Sequence, residues 1–405
     1  MDNSQIVVIT GMGAVTPFGD VEGFIEGLKN GNSNFTTIRR FKLNKADKIR
    51  VAGQVDEINV EIQNESVQKS LDLIKEYTDR ENLQFKYGIH TADLAYKDAN
   101  LCESDEISII VGSSGLEGKI LNSDSMNFHR SALGLPNTLP SLIAKELEIN
   151  GPSISVNSAC LTGISALQNA MCQILSGACE KVLVGTSDFG IDKIFYGNSD
   201  ERNNGTRALS KKNEMVPFGQ NRDGPVLSEG AGFLVIESLE SAKKRNAHIY
   251  AEIKGVSTLT EYGRHSCDIT TSGYQKVIEK ILKKTRISNG EIDYVNAHGT
   301  STPLNDVTES AAIYNVFGNT TPVSSFKGTC GHTLTSSNLL EIIACCEILK
   351  TNQIFKTNLE NIGTDCANLD YVMEQRGGKK INNILKLGAG FGGVYGVVIL
   401  SKYEN

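Results

Sequence analysis

Cys160 lies in the segment Val156-Asn157-Ser158-Ala159-Cys160-Leu161-Thr162-Gly163, after a strand-like run and at the opening of an apolar helix. A thiol there faces backbone N–H groups that have no partner within the helix, and the positive end of the helix dipole. Both favour thiolate and lower a thiol pKa from its ordinary value of about 8.5. Small neighbours leave a path for a substrate. Two readings stand side by side: a nucleophile that forms a thioester, and one more small buried cysteine. His298 follows an apolar run in VNAHGTSTP (295–303), where the chain turns through small and hydroxylated residues. His332 ends KGTCGH (327–332), whose glycines suggest close approach of backbone or ligand. Taken alone, a histidine in such a turn is more often a structural hydrogen-bonder, and that reading stands beside the catalytic one for both. Cys330 and His332 are too close together, and lack further ligands at usual spacing, to suggest a metal site, so no metal is expected.

Two glycine-rich segments carry weaker signals. Gly388-Ala389-Gly390-Phe391-Gly392-Gly393 is read either as a loop whose N–H groups serve a developing oxyanion, with Phe391 as an aromatic gate, or as a tight turn between strands. Gly11-Met12-Gly13 follows a strand as a dinucleotide fingerprint does, but Thr16 occupies the third glycine position, which argues against nucleotide binding.

The elements that must position these residues alternate. Short apolar runs at 6–10, 107–112, 181–188, 230–240, 295–300 and 395–401 read as strands of a sheet covered on both faces. Helices are predicted at 138–149, 162–176, 273–286, 306–316 and 337–350, giving an α/β, layered α-β-α chain. SVNSACLTGISALQNAMCQILSG and SSFKGTCGHTLTSSNLLEIIACCEILK share one plan of strand, small-residue turn and a helix apolar all round. Such a helix has no solvent face and is expected to be buried. The echo supports two similar halves, and an expected division at 1–250 and 251–405 leaves the cysteine in the first and both histidines in the second.

Bulk properties narrow the classes. The 405 residues can bury a large core, and 40 Lys and Arg against 47 Asp and Glu give a net charge of -7. That balance offers no sequence-wide case for nucleic acid or an anionic membrane. The opening MDNSQIVVITGMGAV is too short an apolar stretch to span a bilayer and shows no cleavage site, so a cytoplasmic protein is expected. Nine cysteines without CxxC spacing read as reduced thiols, not as a disulfide framework or a zinc site.

Taken together, VVITGMGAVTPFG, GPSISVNSACLTG, PFGQNRDGPVLSEGAG (217–232), VNAHGTSTPLND, KGTCGH and GAGFGG resemble, in order and spacing, the elongating β-ketoacyl-acyl carrier protein synthases of the thiolase-like superfamily. The resemblance implies a thiolase-like five-layered α-β-α-β-α fold from two similar halves, usually in a homodimer. It makes Cys160 the nucleophile, with His298 and His332 completing a Cys-His-His set and Lys327 supporting the histidines. Glu341 matches a buried acid on the following helix, and Asp306 and Glu309 match supporting acids. Thr300 and Thr302 match positions that bond a pantetheine arm, and Phe391 and Gly392 match residues bordering the substrate.

The implied reaction extends a Cys-linked acyl chain by decarboxylative Claisen condensation with malonyl-acyl carrier protein. It needs no cofactor beyond the carrier's phosphopantetheine. The partner is acyl carrier protein, which is acidic, so a basic patch is expected; Lys69, Lys75 and Arg80 are candidates, read equally as a solvated helix face. An alternative is a subunit active only beside a ketosynthase-like partner chain. A thiolase would carry a second cysteine in 388–396, initiation-type synthases use Asn at the place of His332, and non-catalytic chain-length partners lack the cysteine; none of these fits. Leu161, Ala389 and Val394-Tyr395 depart from the usual pattern at positions the family places near the acyl channel or gate, leaving fatty-acid and polyketide pathways both open.

Overall fold

The computed structural model describes residues 5–45, 47–76, 79–102, 105–113, 133–191, 209–261 and 268–404. Its strands are β1 (Val7–Val15), β2 (Phe35–Thr37), β3 (Val51–Gly53), β4 (Ser108–Gly112), β5 (Ser153–Ser155), β6 (Lys181–Asp188), β7 (Gly230–Ser238), β8 (Ala251–Thr260), β9 (Tyr294–Asn296), β10 (Pro322–Ser324), β11 (Asp370–Tyr371), β12 (Asn383–Gly390) and β13 (Val394–Ser401). The helices are α1 (Val21–Asn30), α2 (Glu65–Lys75), α3 (Asp79–Asp98), α4 (Thr138–Glu146), α5 (Thr162–Leu175), α6 (Leu239–Lys244), α7 (Thr271–Thr285), α8 (Pro303–Phe317), α9 (Lys327–Cys330) and α10 (Ser337–Thr351).

Strands β6 and β7 are buried at every residue, as their unbroken apolar runs require of strands covered on both faces. The main sheet runs β11-β10-β9-β12-β13-β8-β1-β7-β6-β4-β5. Its two halves repeat one scheme. In each, a strand pairs antiparallel with a second, the second antiparallel with a third, and the third parallel with a fourth: β1-β7-β6-β4 in one half and β8-β13-β12-β9 in the other. Three antiparallel register pairs, from Val7 with Ile253 to Ile9 with Ala251, join the halves.

Helices complete five layers. α3 and α4 cover one half of the sheet, α7 covers the other with α8 packed against it, and α5 and α10 touch each other and strands of both halves between them. The central apolar cluster accordingly holds Leu161, Ile164 and Leu167 beside Leu339, Ile342 and Ile343. α10 is buried along nearly its whole length, as its all-round apolar sequence predicts. α5 departs from that expectation, because Asn169 and Cys172, three residues apart, form an exposed stripe. Gly11 and Gly13 have a packing role: a Cβ would lie 2.5 Å from the Ala95 carbonyl oxygen at Gly11 and 2.3 Å from that of Thr91 at Gly13. Helix α3 therefore lies directly on β1, and the paired glycines are what allow it.

Candidate active site

Cys160 stands one residue before Leu161, the N-cap of α5, in a turn that its own sequence strains and then ties down. Ala159 has φ +52°, a left-handed conformation that a residue with a Cβ rarely adopts and that costs about 1 kcal/mol or more. Asn157 Oδ1 accepts the Ala159 N–H at 3.0 Å, and Thr162 Oγ1 accepts the Ser158 N–H at 2.9 Å while donating to the Ala159 carbonyl at 2.6 Å. From α10, Asn338 Nδ2 donates to the Cys160 carbonyl at 2.7 Å. The tail of β12 presses on the same turn. A Cβ at Gly390 would sit 3.1 Å from Leu161 N and 3.2 Å from Cys160 N. Gly390→Ala should therefore shift the turn by a few tenths of an ångström and slow acylation of Cys160 about tenfold, with little change in Tm. An acylation rate equal to the parent's would show the contact to be slack.

The thiol itself departs from the expectation. Desolvation of its sulfur, with the nearby Asp188 adding to it, pushes the Cys160 pKa up to about 12. Lys327 and the residue's own N–H pull the other way and do not prevail. The helix start is outweighed because desolvation of the sulfur and then Asp188 oppose its charge, even though the residue as a whole is only half-buried, and the resting residue is a neutral thiol.

His298 follows β9, and His332 follows α9. Their rings lie 5.8 Å apart and nearly perpendicular, at 87°. Both are buried. Burial, then Lys327, each other's neighbourhood and Lys386 hold His298 well below the ordinary imidazole range; burial, Lys327 and Lys386 take His332 down to about 3. Two neutral imidazoles result. His332 Nδ1 is 2.9 Å from Ser337 Oγ, which also accepts the Thr333 N–H at 3.0 Å. His298 Nδ1 is buried and has no hydrogen-bond partner among the described residues. Lys327, fully buried, donates to the His298 carbonyl at 2.7 Å and to Glu341 Oε1 at 2.5 Å.

Asp306 and Glu309 lie on α8 and hold the histidine turn from behind. Glu309 accepts the N–H groups of His298 at 2.6 Å and Gly299 at 2.8 Å, and Asp306 accepts that of Phe218 at 2.7 Å. Gly299 has φ +44°, and a Cβ there would meet Ser325 Cβ at 2.5 Å, so this bend requires glycine. Burial raises the pKa of Asp306 to about 6 and of Glu309 to about 7 against the pull of those N–H groups. An acid whose folded pKa is raised gives stability that is fully present below its unfolded value and is lost as pH rises through the folded one. Glu309→Gln should thus flatten the fall in Tm between about pH 4.5 and 7, while losing about 1–3 kcal/mol because its amide nitrogen faces an N–H donor. Thermal melts across that range test both parts, and an unchanged slope would exclude Glu309 as the titrating group.

The remaining sequence candidates fall around this centre. Thr300 Oγ1 and Thr302 Oγ1 are 3.0 Å apart, and Thr302 caps α8 by accepting the Asn305 N–H. Phe391 is 55 % exposed on the turn between β12 and β13, where Gly392 and Gly393 have φ +94° and +68°. The glycine segment makes a tight turn between the two strands, and Gly390 brings its start against the Cys160 turn, a geometry that either reading of the segment requires. Leu161 packs in the central cluster beside the nucleophile, but Ala389 and Tyr395 point into the outer core with Tyr274, away from it. Lys69 and Lys75 are exposed on α2, Lys69 within 3.7 Å of Glu65; the Arg80 side chain lies outside the described residues. Among the described residues no group of three or more His, Cys, Asp or Glu is arranged to hold a metal ion, and no helix is long and apolar enough to cross a membrane.

Asn338, Ser337, Asp188 and Lys386 join the site without having been singled out from sequence. Only Lys386 left a signal there, as a lone charge among apolar residues in NILKLGAG (383–390).

Comparison with known proteins agrees with this geometry. Residues 4–242 match the family described as beta-ketoacyl synthase, N-terminal domain, and residues 250–372 its C-terminal domain. The 3-oxoacyl-[acyl-carrier-protein] synthase 2 of Synechocystis sp. is 30% identical over 421 residues, covering 98% of both chains. The solved ishigamide ketosynthase/chain length factor is 28% identical with a TM-score of 0.86, covering 98% of this chain and 99% of that one. A type II PKS ketosynthase solved with its acyl-carrier protein and a bound hexaketide is 26% identical with a TM-score of 0.80, over 98% and 99% of the two chains. The chain belongs to the β-ketoacyl synthase family of condensing acyltransferases.

Proposed function

We propose that Cys160 carries the growing acyl chain as a thioester and that His298 and His332 stabilise the enolate formed from a malonyl thioester. The observation that carries this reading is the pair of buried, neutral imidazoles 5.8 Å apart, held from behind by Lys327 and joined to the strained Cys160 turn through α10, where Ser337 meets His332 and Asn338 bonds the Cys160 carbonyl. In the first step the Cys160 sulfur attacks an acyl thioester, the carrier's thiolate leaves, and the thiol proton passes to it through an imidazole. A high thiol pKa makes that proton transfer part of the attack.

In the second step the malonyl thioester loses carbon dioxide, and its carbonyl oxygen takes the negative charge between two imidazole N–H donors. In the tautomer this step needs, Ser337 Oγ accepts the Thr333 N–H and donates to His332 Nδ1 in preference to Thr333 Oγ1, which leaves the ring proton on Nε2. The enolate carbon attacks the Cys160 thioester. The oxyanion formed there lies near the N–H groups of Cys160 and Phe391, and collapse expels the Cys160 thiolate, which takes a proton from solvent. A β-ketoacyl chain two carbons longer remains on the carrier. Thr300 and Thr302 are assigned to the pantetheine arm, and Phe391 and Gly392 to the mouth of the site. Glu341, Asp306 and Glu309 support the histidines.

The relatives' names, and the ketosynthase solved with a carrier, support acyl carrier protein as the partner. On the same reading the chain works in the cytoplasm, as a homodimer or beside a ketosynthase-like chain. Intact mass after mixing with acyl-carrier proteins of several chain lengths tests it. An adduct lost in Cys160→Ala is expected. No adduct from any donor by the chain alone, with one appearing on adding a partner chain, would move the assignment to a subunit of a heterodimer.

A further inference from the structure

β12 carries a lysine in the middle of a buried apolar strand. Lys386 is 0 % exposed, between Leu385 and Leu387, where an unpaired ammonium would be strongly disfavoured. Its Nζ lies 2.7 Å from Glu341 Oε2 and donates to the Leu387 carbonyl. The other oxygen of Glu341 is already occupied, 2.5 Å from Lys327 Nζ. Two ammonium groups, from α9 and β12, thus share a single carboxylate on α10, and all three side chains are buried. Lys327 also holds the His298 carbonyl at 2.7 Å, so a triad with one more ammonium than carboxylate adjoins the histidine turn.

Charge balance does not explain the second lysine, because Lys327 alone neutralises Glu341. We infer that Lys386 is a positioning residue of the condensation: its charge adds to burial and to Lys327 in holding His298 and His332 neutral, so that they donate hydrogen bonds to the enolate without surrendering a proton to it. The inference rests on the reading of the histidines given above. Its chemistry balances simply. An imidazolium beside the enolate would form a C–H bond at the carbanion as its N–H bond breaks, giving an acetyl thioester and a neutral imidazole in place of the condensed product. The charged and titratable groups around the pair are Lys327 and Cys330 on α9, Glu341 on α10, Lys386 on β12, Glu309 on α8, Cys160, and Asp188 on β6. After burial, the ammonium groups and the neighbouring imidazole are what lower the His298 pKa, and the ammonium groups alone lower that of His332.

The test uses the whole chain with Cys160 already acylated and malonyl-acyl carrier protein added. The ratio of acetyl to β-ketoacyl product is followed from about pH 5.5 to about 8. In Lys386→Met, which has similar length and no charge, the acetyl share should rise about tenfold at the acid end and little at the alkaline end. Lys386→Arg, which keeps the charge, should retain the parent ratio if it folds. A folded Lys386→Met with the parent ratio at every pH overturns the role of Lys386 while leaving the condensing assignment intact. A parent that forms no Cys160 thioester and releases no carbon dioxide defeats that assignment instead. Should Lys386→Met not fold, Lys386→Gln, which can still bond Glu341, takes its place: an imidazolium at residue 298 or 332 at about pH 5.5 in its histidine 13C NMR, absent from the parent, supports the inference, and spectra alike in the two proteins overturn it.

Discussion

Cys160→Ala forms no acyl adduct and condenses at background, a loss of about 10⁴-fold or more, because a thioester that can be attacked in place has no substitute once its sulfur is gone. The packing around this position makes the result interpretable. The turn is fixed by Asn157, Thr162 and Asn338, none of which bonds the sulfur, so alanine leaves the backbone where it was. Cys160→Gln carries the prediction further. Decarboxylation needs the imidazole donors and no thiol, so this variant should still release carbon dioxide from malonyl-acyl carrier protein. Trapping of labelled carbon dioxide alongside product analysis separates the two activities. Loss of both in Cys160→Gln would end the division of labour between the thiol and the histidines.

The second large effect belongs to the histidines. His298→Ala and His332→Ala should each slow decarboxylation about 10²- to 10³-fold, the range seen when one preorganised donor to a developing oxyanion is removed. The double variant should lose less than the product of the two, since both donors serve one oxygen. In the parent, His332 has a pKa near 3 and His298 lies well below its ordinary value. No acid limb from either should therefore appear in the decarboxylation rate across the neutral range. Carbon dioxide release unchanged in both single variants would remove the histidines from the reaction.

Much of this site was legible because its residues sit where strands and short helices end, and such ends carry glycines and small hydroxylated residues that mark them. Cys160, His298 and His332 stand out this way as candidates, Lys327 only through the family resemblance, and the burial of α10 through its all-round apolar sequence. Other features depend on contacts that no local pattern encodes. Asp188 lies deep in β6, and only the folded chain sets it against the thiol and reverses the expected sign of the Cys160 shift. Strand β8 escaped notice because Glu252 and Lys254 interrupt its apolar run, and β12 because Lys386 interrupts its own. The GMG segment, which lacks the third glycine of a nucleotide fingerprint, has a packing role instead: glycines that could admit a pyrophosphate admit a helix. Ala389 and Tyr395 differ from the family at positions that strand alternation turns outward, so their substitution bears on the outer core more than on chain length.

The strand order also sets a timetable for synthesis. β1 pairs Val7 with Ser238 on one side and with Ile253 on the other. At about 5–20 residues per second, a nascent chain holds this apolar strand unpaired for roughly ten seconds or longer before either partner leaves the ribosome. A strand of that kind invites pairing with other chains. Gly11 and Gly13, needed later for α3, lower its β-propensity meanwhile. Recovery of soluble protein in a host should therefore follow growth temperature and chaperone supply more closely than the stability of the finished fold.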